Sequence, residues 1–303
     1  MPQTPHIPQN DVNSGFHLAD GRGYMLDRGY FASSRLNFQF YLWKESLRFN
    51  LHPSISIPIE SDLRIADIAT GTGLWLFDVA RELPASAQLD GFDISLANAP
   101  QKQWWPRNVT MREWNVFDDV PDALVGKYDI VHLRLLILVV ENSDPRPIIR
   151  KAFKMLKPGG YIQWDDLNYP DTYVRRPSVS SSTQRTAATP AFDSLREFVY
   201  SNGRHDWVLE LPEILSSEGF ESARQYNYVD RPDLAKANGD QHLLTMEEFA
   251  TTLATAGNHQ ASEKIFNLIG EVYQESLAGV ALSMPRVVSI ARKQSRETLR
   301  AVI

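Results

Sequence analysis

Seven residues, Asp67–Ile68–Ala69–Thr70–Gly71–Thr72–Gly73, combine an acid, two glycines and little bulk. Ile65 to Ile68 spell a short buried strand, and Thr70 to Gly73 a tight turn. Leu74, Phe77, Val79, Ala80 and Leu83 follow at roughly helical spacing. A strand, a glycine turn and a helix point backbone N–H groups and a helix N-terminus at a ligand. A pyrophosphate turn wants G-x-G-x-x-G, its third glycine letting helix and strand pack closely. Leu76 stands where that glycine would be, and Asp67 at the strand end would repel phosphate. The acid favours a cation. Asp93 closes the next apolar stretch, Gln88 to Asp93, about twenty residues past the glycines, where a carboxylate can accept from both hydroxyls of a ribose. Capping a following helix is the plainer role open to it.

S-adenosylmethionine carries an ammonium and a sulfonium beside one carboxylate, with no phosphate, and so suits the turn better than a nicotinamide dinucleotide. The heptad resembles the first motif of class I S-adenosylmethionine-dependent methyltransferases, an acid followed by three alternating small residues. Ala69 replaces the usual first glycine, which costs little if its φ is negative, since alanine is penalised mainly where φ is positive. Leu156–Lys157–Pro158–Gly159–Gly160–Tyr161, at the right distance downstream, matches the family's approach to strand five. The resemblance implies a doubly wound, seven-stranded, mostly parallel sheet (Rossmann-like α/β) with a mainly helical cap. It implies S-adenosylmethionine as cofactor, S-adenosylhomocysteine as product and no metal. A cofactor set follows: Asp67, Ala69, Gly71 and Gly73 in the turn, then Asp93 and Ile94. Asn115 would meet the adenine amino group through its carbonyl oxygen, with Trp114 and Val116 as the apolar face.

Resemblance to fungal secondary-metabolism methyltransferases, through a Tyr…Arg-Leu-Asn…Tyr-Leu-Trp leader, makes the segment Tyr30 to Asn50 a lid helix. Tyr24, Arg35 and Trp43 would line the cofactor; packing on the sheet is the alternative. Ser33 or Ser34 would cap the helix. Tyr128 to Arg134 reads as strand four, with His132 and Arg134 on one face. His132 is either a satisfied core residue or a base. Arg134 is either a carboxylate anchor or half of an ion pair.

The rest of the chain positions these groups. Val109 to Trp114 is strand three, Pro147 to Leu156 a helix, and Lys157 to Gly160 its stop and turn before strand five. Leu211 to Gly219 and Phe220 to Val229 follow as helix and strand six. Arg286 to Arg292 closes as strand seven, antiparallel between five and six by the family pattern. Insertions supply the cap: a helix Phe192 to Tyr200 after a loose Ser178–Arg185, then helical patterns Met246 to Leu253 and Ala261 to Leu282. The segmentation is 1–22 flexible, 23–60 leader and lid, 61–170 cofactor core, 171–205 and 231–284 cap insertions, 206–230 core continuation, and 285–303 last strand and tail. Candidate bases are His132, Asp166 and His242, with His205, His259, Asp165 and Glu247 behind them. Trp207, Tyr226, Tyr228, Phe249 and Tyr273 suit an apolar acceptor or an ordinary core.

Composition sets the outer limits. The 303 residues carry 31 basic and 37 acidic side chains, a net charge of −6, without a basic run. That argues against a nucleic-acid partner. No apolar run approaches a membrane span, and the first residues lack the pattern of a secretory signal, so a cytoplasmic setting is expected. With no cysteine there is neither disulfide nor thiolate chemistry. The expectation is methyl transfer to oxygen or nitrogen of a small secondary metabolite, aromatic or polycyclic. The alternative is a protein that binds the cofactor without transferring methyl, as a pericyclase or a regulator. The acceptor and the oligomeric state are not legible.

Overall fold

A computed structural model describes residues 26–56, 63–176 and 188–294. Tyr24, the expected loose N-terminus and the Ser178–Arg185 stretch lie outside the described residues.

Five parallel strands form most of the sheet: β1 (Arg64–Ile68), β2 (Gln88–Asp93), β3 (Val109–Glu113), β4 (Tyr128–Arg134) and β5 (Leu156–Leu167). After a short strand β6 (Tyr173–Arg175) come β7 (Phe220–Tyr228), a second short strand β8 (Ala281–Ser283) and β9 (Arg286–Lys293). The main sheet runs β3-β2-β1-β4-β5-β9-β7, with β9 antiparallel to both neighbours; β6 pairs with β8 apart from it. This is the expected doubly wound seven-stranded arrangement. Central strands buried on both faces need near-continuous apolar side chains. Ile65, Ala66 and Ile68 of β1 and Ile130, Val131 and Leu133 of β4 meet that need.

Helices cover both faces: α1 (Tyr30–Leu47), α2 (Leu74–Glu82), α3 (Arg146–Met155), α4 (Pro190–Tyr200), α5 (Leu211–Ser217), α6 (Ala235–Thr255) and α7 (His259–Leu277). Several boundaries differ from the sequence reading. Gly29 caps α1; Ser33 instead donates to Asn98 Oδ1 and Ser34 to the Tyr30 carbonyl. The helix ends at Leu47 because Arg48 turns left-handed, with φ 65°. Lys157 to Gly160 is not a separate turn before β5 but an irregularity within it: Tyr128 pairs with Leu156, while Ile130 already pairs with Tyr161. Gly159 sits at φ +83°, and a Cβ on Gly160 would lie 2.9 Å from the Asp129 carbonyl, so the excursion needs both glycines. Lys157 grips the Asp129 carboxylate at 2.8 and 2.9 Å.

The cap helices are longer at their N-terminal ends than apolar spacing suggests. α6 begins at Ala235 rather than Met246, through an Asn238–Gly239–Asp240 stretch of poor helix formers. Tertiary hydrogen bonds hold that turn. Asn238 donates to Asp230 at 3.1 Å and accepts from Arg286 at 2.9 Å; Arg286 also pairs with Asp230 at 2.6 Å, all buried. Asn258 caps α7 by accepting from the Ala261 N–H at 3.2 Å, and Gly279, at φ +87°, follows its end. α6 and α1 meet above the carboxyl ends of the parallel strands, where open α/β sheets bind ligands.

Candidate functional site

The turn after β1 is strained by design of its backbone. Ala69, Gly71 and Gly73 stand at φ 59°, 58° and 74°, alternating with Thr70 and Thr72. Ala69 therefore does not meet the condition, a negative φ, under which alanine would cost little here. Its Cβ in the left-handed region costs on the order of 1 kcal/mol. Gly73 is needed twice over, since a Cβ there would meet Met111 Sδ of β3 at 2.8 Å. The missing third glycine is made good from another strand. A Cβ on Gly91 in β2 would lie 2.6 Å from Leu76 Cδ1, so Gly91 provides the close approach of α2 to the sheet. Nothing in the heptad itself could have revealed this.

Asp93 ends β2 and accepts the Gly71 N–H at 2.8 Å and the Ser95 N–H at 3.2 Å. Burial raises its carboxyl above the usual range against those two hydrogen bonds. Asp93, Ile94, Trp114, Asn115 and Val116 all line one cavity of about 270 Å³, together with Asp67, Ala69 and Gly71; Gly73, expected in the same set, does not line it. Asn115 accepts the Phe117 N–H at 3.1 Å, so one face of its carbonyl oxygen is already used by the loop. Its amide N–H groups are the stronger offer to a ligand.

Beneath the turn lies a row of alternating charges that no local pattern announces. His132 in β4 is sealed from solvent, its Nδ1 2.7 Å from Asp67 Oδ1 and its Nε2 3.2 Å from Asp165 Oδ2. Arg134 donates to the same Asp165 oxygen from Nε at 3.1 Å and Nη2 at 2.7 Å. Burial opposes a charge on His132, but the two carboxylates outweigh it and raise the imidazole above its ordinary value. Burial likewise opposes charge on Asp165, and Arg134 with His132 holds it below the carboxylate range. The indole of Trp75 stacks on His132 at 3.7 Å between centroids and 2° between planes. With both ring nitrogens engaged by carboxylates, His132 is a pin for Asp67 and Asp165, the core role of its two readings. Arg134 is correspondingly half of an ion pair; its guanidinium also lies 5.0 Å from the ring of Trp43. Arg286 approaches the same indole at 5.1 Å. Arg35, buried beside the cavity, bonds Glu248 of α6 at 2.5 Å, and the Asp27 N–H joins the same carboxylate at 2.8 Å. Arg35, Trp43 and Arg134 all reach the cavity wall, already tied to protein partners.

The far end of the cavity has a different character. It is walled by Leu135 to Val139 after β4, Leu167 and Tyr169 after β5, residues of α4, His205, and one face of α6 from Gln241 to Phe249. Burial lowers His205 to about 4, with the Arg204 charge adding to it, and lowers His242 to about 4 by itself. Both imidazoles are neutral near pH 7. Nε2 of His242 is sealed from solvent with no partner among the described residues. Tyr169 packs 5.0 Å from the His205 ring. Tyr169 and Gln241 were missed in the sequence. Tyr169 lies two residues past the end of β5, a position that strand-end geometry makes suspect; Gln241 sits in the part of α6 that apolar spacing does not register.

Other candidates fall away from this cavity. Asp166 does not line it: β5 turns that carboxyl to the opposite face from Asp165, where it accepts from the Leu167 N–H at 2.9 Å and Trp164 Nε1 at 3.3 Å. Burial raises it to about 7. His259 and Glu247 are exposed on the cap, as is Tyr273. Trp207 packs on Trp164 in the core, and Tyr226 and Tyr228 surround His52. Of the five aromatics Trp207, Tyr226, Tyr228, Phe249 and Tyr273, Phe249 alone reaches the cavity. Among the described residues no group of three or more His, Cys, Asp or Glu is placed to hold a metal, and no helix is long and apolar enough to cross a membrane.

A family model described as a methyltransferase domain matches residues 36–237, more than half of the chain. The chain belongs to the methyltransferase-domain family. The matched span starts inside α1 and ends inside α6, so it takes in the core and part of the cap of this family member. Among curated proteins the chain is 35% identical over 164 residues to a methyltransferase, grgD, of a Penicillium species, covering 51% of this chain and 56% of that one. It is 31% identical to an N-methyltransferase, tcpN, of Claviceps purpurea, covering 45% and 49%. It is also 31% identical to a secondary metabolism regulator, LAE1, of Hypocrea atroviridis, covering 39% and 35%. The chain spans about half the length of the first curated relatives it matches. The class I S-adenosylmethionine-dependent resemblance read from the glycine turn and the fungal leader stands. The cofactor fits this site on its own chemistry: carboxylates at Asp67 and Asp93, a backbone cradle that admits little side-chain bulk, and an apolar edge at Trp114 and Val116.

Proposed function

We propose that the protein transfers a methyl group from S-adenosylmethionine to nitrogen or oxygen of a small secondary metabolite. One observation carries the reading: a single cavity joins the strained, carboxylate-flanked turn at one end to an apolar, imidazole-bearing chamber at the other. The sulfonium cofactor supplies an electrophilic methyl carbon and an excellent leaving group. The protein's work is then position, water exclusion and management of one proton.

In this reading Asp93 takes the ribose hydroxyls, Trp114 and Val116 flank the adenine, and Asn115 donates to it. Within Ala69–Gly73 the Thr70, Gly71 and Gly73 N–H groups already donate to Phe92, Asp93 and Thr70, so the carboxylate end of the cofactor meets what remains of this small-residue turn. Asp67, held by His132, faces the cofactor's positive charge; His132 is a positioning residue rather than a base. Arg35 and Trp43 act as the underside of a cover, α1, latched to α6 by Glu248. His242 is the candidate proton acceptor. The acceptor's bulk, aromatic or polycyclic, packs on Phe249 and the loop after β4. The relatives named as N-methyltransferases favour nitrogen.

Titration calorimetry with S-adenosylmethionine and S-adenosylhomocysteine tests the cofactor half, with micromolar binding expected and none for NAD. Release of S-adenosylhomocysteine from a pool of metabolites of the source organism tests the transfer. Cofactor binding without any turnover would instead favour a regulator, the role in the name of one relative.

A further inference from the structure

Two neighbouring side chains on the far wall of the cavity end in polar atoms that the described protein leaves unmatched. Tyr169, two residues past β5, and His205, in the link between α4 and α5, are both buried and both line the cavity. Their rings pack 5.0 Å apart at 48° between planes. Backbone bonds hold each in place. The Thr172 N–H donates to the Tyr169 carbonyl at 3.2 Å, the Val208 N–H to the His205 carbonyl at 3.1 Å, and Ser143 Oγ to the Arg204 carbonyl at 2.8 Å. Among the described residues neither the Tyr169 hydroxyl nor either ring nitrogen of His205 has a hydrogen-bond partner, and none of the three is sealed from water as Nε2 of His242 is. Charges behind the wall fix their protonation. Burial, with the Arg204 charge adding to it, lowers His205 to about 4. Burial, with the Asp166 carboxyl adding to it, holds Tyr169 well above the ordinary phenol value. Near pH 7 the phenol therefore keeps its O–H, and the imidazole keeps one N–H and one bare nitrogen.

An apolar ligand against this wall strips water from all three atoms and returns nothing. A ligand with lone pairs alone satisfies the two donors and leaves the bare nitrogen unmet. Only a group that both gives and takes hydrogen bonds, such as a hydroxyl or an amide with an N–H, bridges the pair. We propose that Tyr169 and His205 are the specificity-determining pair for the methyl acceptor, selecting a largely apolar molecule with one such group, whose O–H or N–H donates to His205 and whose lone pair accepts from Tyr169. This rests on the methyl-transfer reading above and names the group that the same site recognises. The pair binds and orients the acceptor, and no proton changes hands at it.

The test uses the full chain and probes matched in shape on one skeleton. S-adenosylhomocysteine is titrated first; its failure to bind would sink the methyl-transfer reading together with this one. With S-adenosylhomocysteine saturating, 2-naphthol is compared with 2-methylnaphthalene, and 2-methoxynaphthalene with 2-ethylnaphthalene. The naphthol, which can meet both residues, should bind about tenfold more tightly than its methyl analogue. The methyl ether, which can only accept, should exceed its ethyl analogue by about threefold. In His205→Phe the naphthol's advantage should shrink to about that of the ether, and in Tyr169→Phe the ether's advantage should vanish, with S-adenosylhomocysteine affinity unchanged in both. Naphthol that binds no better than its methyl analogue, or not at all, overturns the proposal while leaving cofactor binding intact. So does an advantage that both variants retain. Should either variant not fold, seen as lost S-adenosylhomocysteine binding, the two shape-matched comparisons on the unaltered chain decide the matter.

Discussion

The two ends of one cavity solve opposite problems with opposite materials. The turn end is made from consecutive core strands and is dense with charge. Each ion there has a partner, and the backbone is held in left-handed conformations that only the surrounding packing sustains. The chamber end is made from loops and inserted helices and is neutral, its two imidazoles kept uncharged by burial. The contrast matches a constant ligand at one end and a variable one at the other. Rigid strands suit a ligand whose charges never change; cap insertions can be altered without disturbing the sheet.

The sharpest way to break the contrast is at His132. His132→Ala leaves Asp67 and Asp165 facing each other across a buried gap, and removing one partner of such a pair costs about 3–5 kcal/mol. Urea denaturation should show that loss; a change under 1 kcal/mol would mean that the carboxylates are not held by the imidazole. Protonation of His205 provides the counterpart at the chamber end. With an ordinary value near 6.5 in the unfolded chain and about 4 in the fold, the unfolded state takes up its proton first. Stability is therefore complete above pH 6.5 and falls as pH drops towards 4, by about 3 kcal/mol for this one group. His132 works in the other sense: its raised value gives stability that is present below 6.5 and lost as pH rises through its folded value. Asp166, raised to about 7, strengthens the fold as pH falls from 7 to 3.8 and partly masks the loss. Comparison of the wild type with His205→Gln across pH 4 to 7 isolates the term, since the variant should lack that part of the acid limb.

Gly91→Ala sharpens the account of the turn. Its Cβ would press on Leu76, Met111 and Thr70, an overpacking of about 1–3 kcal/mol, and cofactor affinity should fall with it because Thr70 belongs to the turn. Normal stability and binding in this variant would refute the claim that Gly91 stands in for the third glycine. The smallest effect runs the other way. Ala69→Gly relieves a left-handed alanine and should stabilise the fold by about 0.5–1 kcal/mol, less the added freedom of the unfolded chain. A clear destabilisation would show that the alanine methyl contributes packing that outweighs its strain.

How much was legible follows the same division. The main strands along the chain, the heptad and the acid of β2 were readable because they are local: a turn needs its glycines in sequence, and a buried strand needs its apolar run, whereas the order of strands in the sheet came from the family resemblance. The start of α6 was not readable, because its Asn238–Gly239–Asp240 turn is held by Arg286 and Asp230 rather than by helix propensity. Asp165 and Asp166 are adjacent in sequence and read as a pair, yet strand alternation sends one to His132 and the other to the opposite face.

By itself, then, the sequence determined the main strands, the small-residue turn after β1 and the acids that flank it. Tertiary structure alone decided that His132 is a pin between two carboxylates, that Gly91 of the neighbouring strand makes room for Leu76, and that burial keeps the His205 and His242 imidazoles of the chamber beyond neutral. The reason is range. Hydrogen bonding within a turn and alternation along a strand act over a few residues, whereas the partners of a buried charge or of a missing Cβ come from wherever the fold brings the chain together.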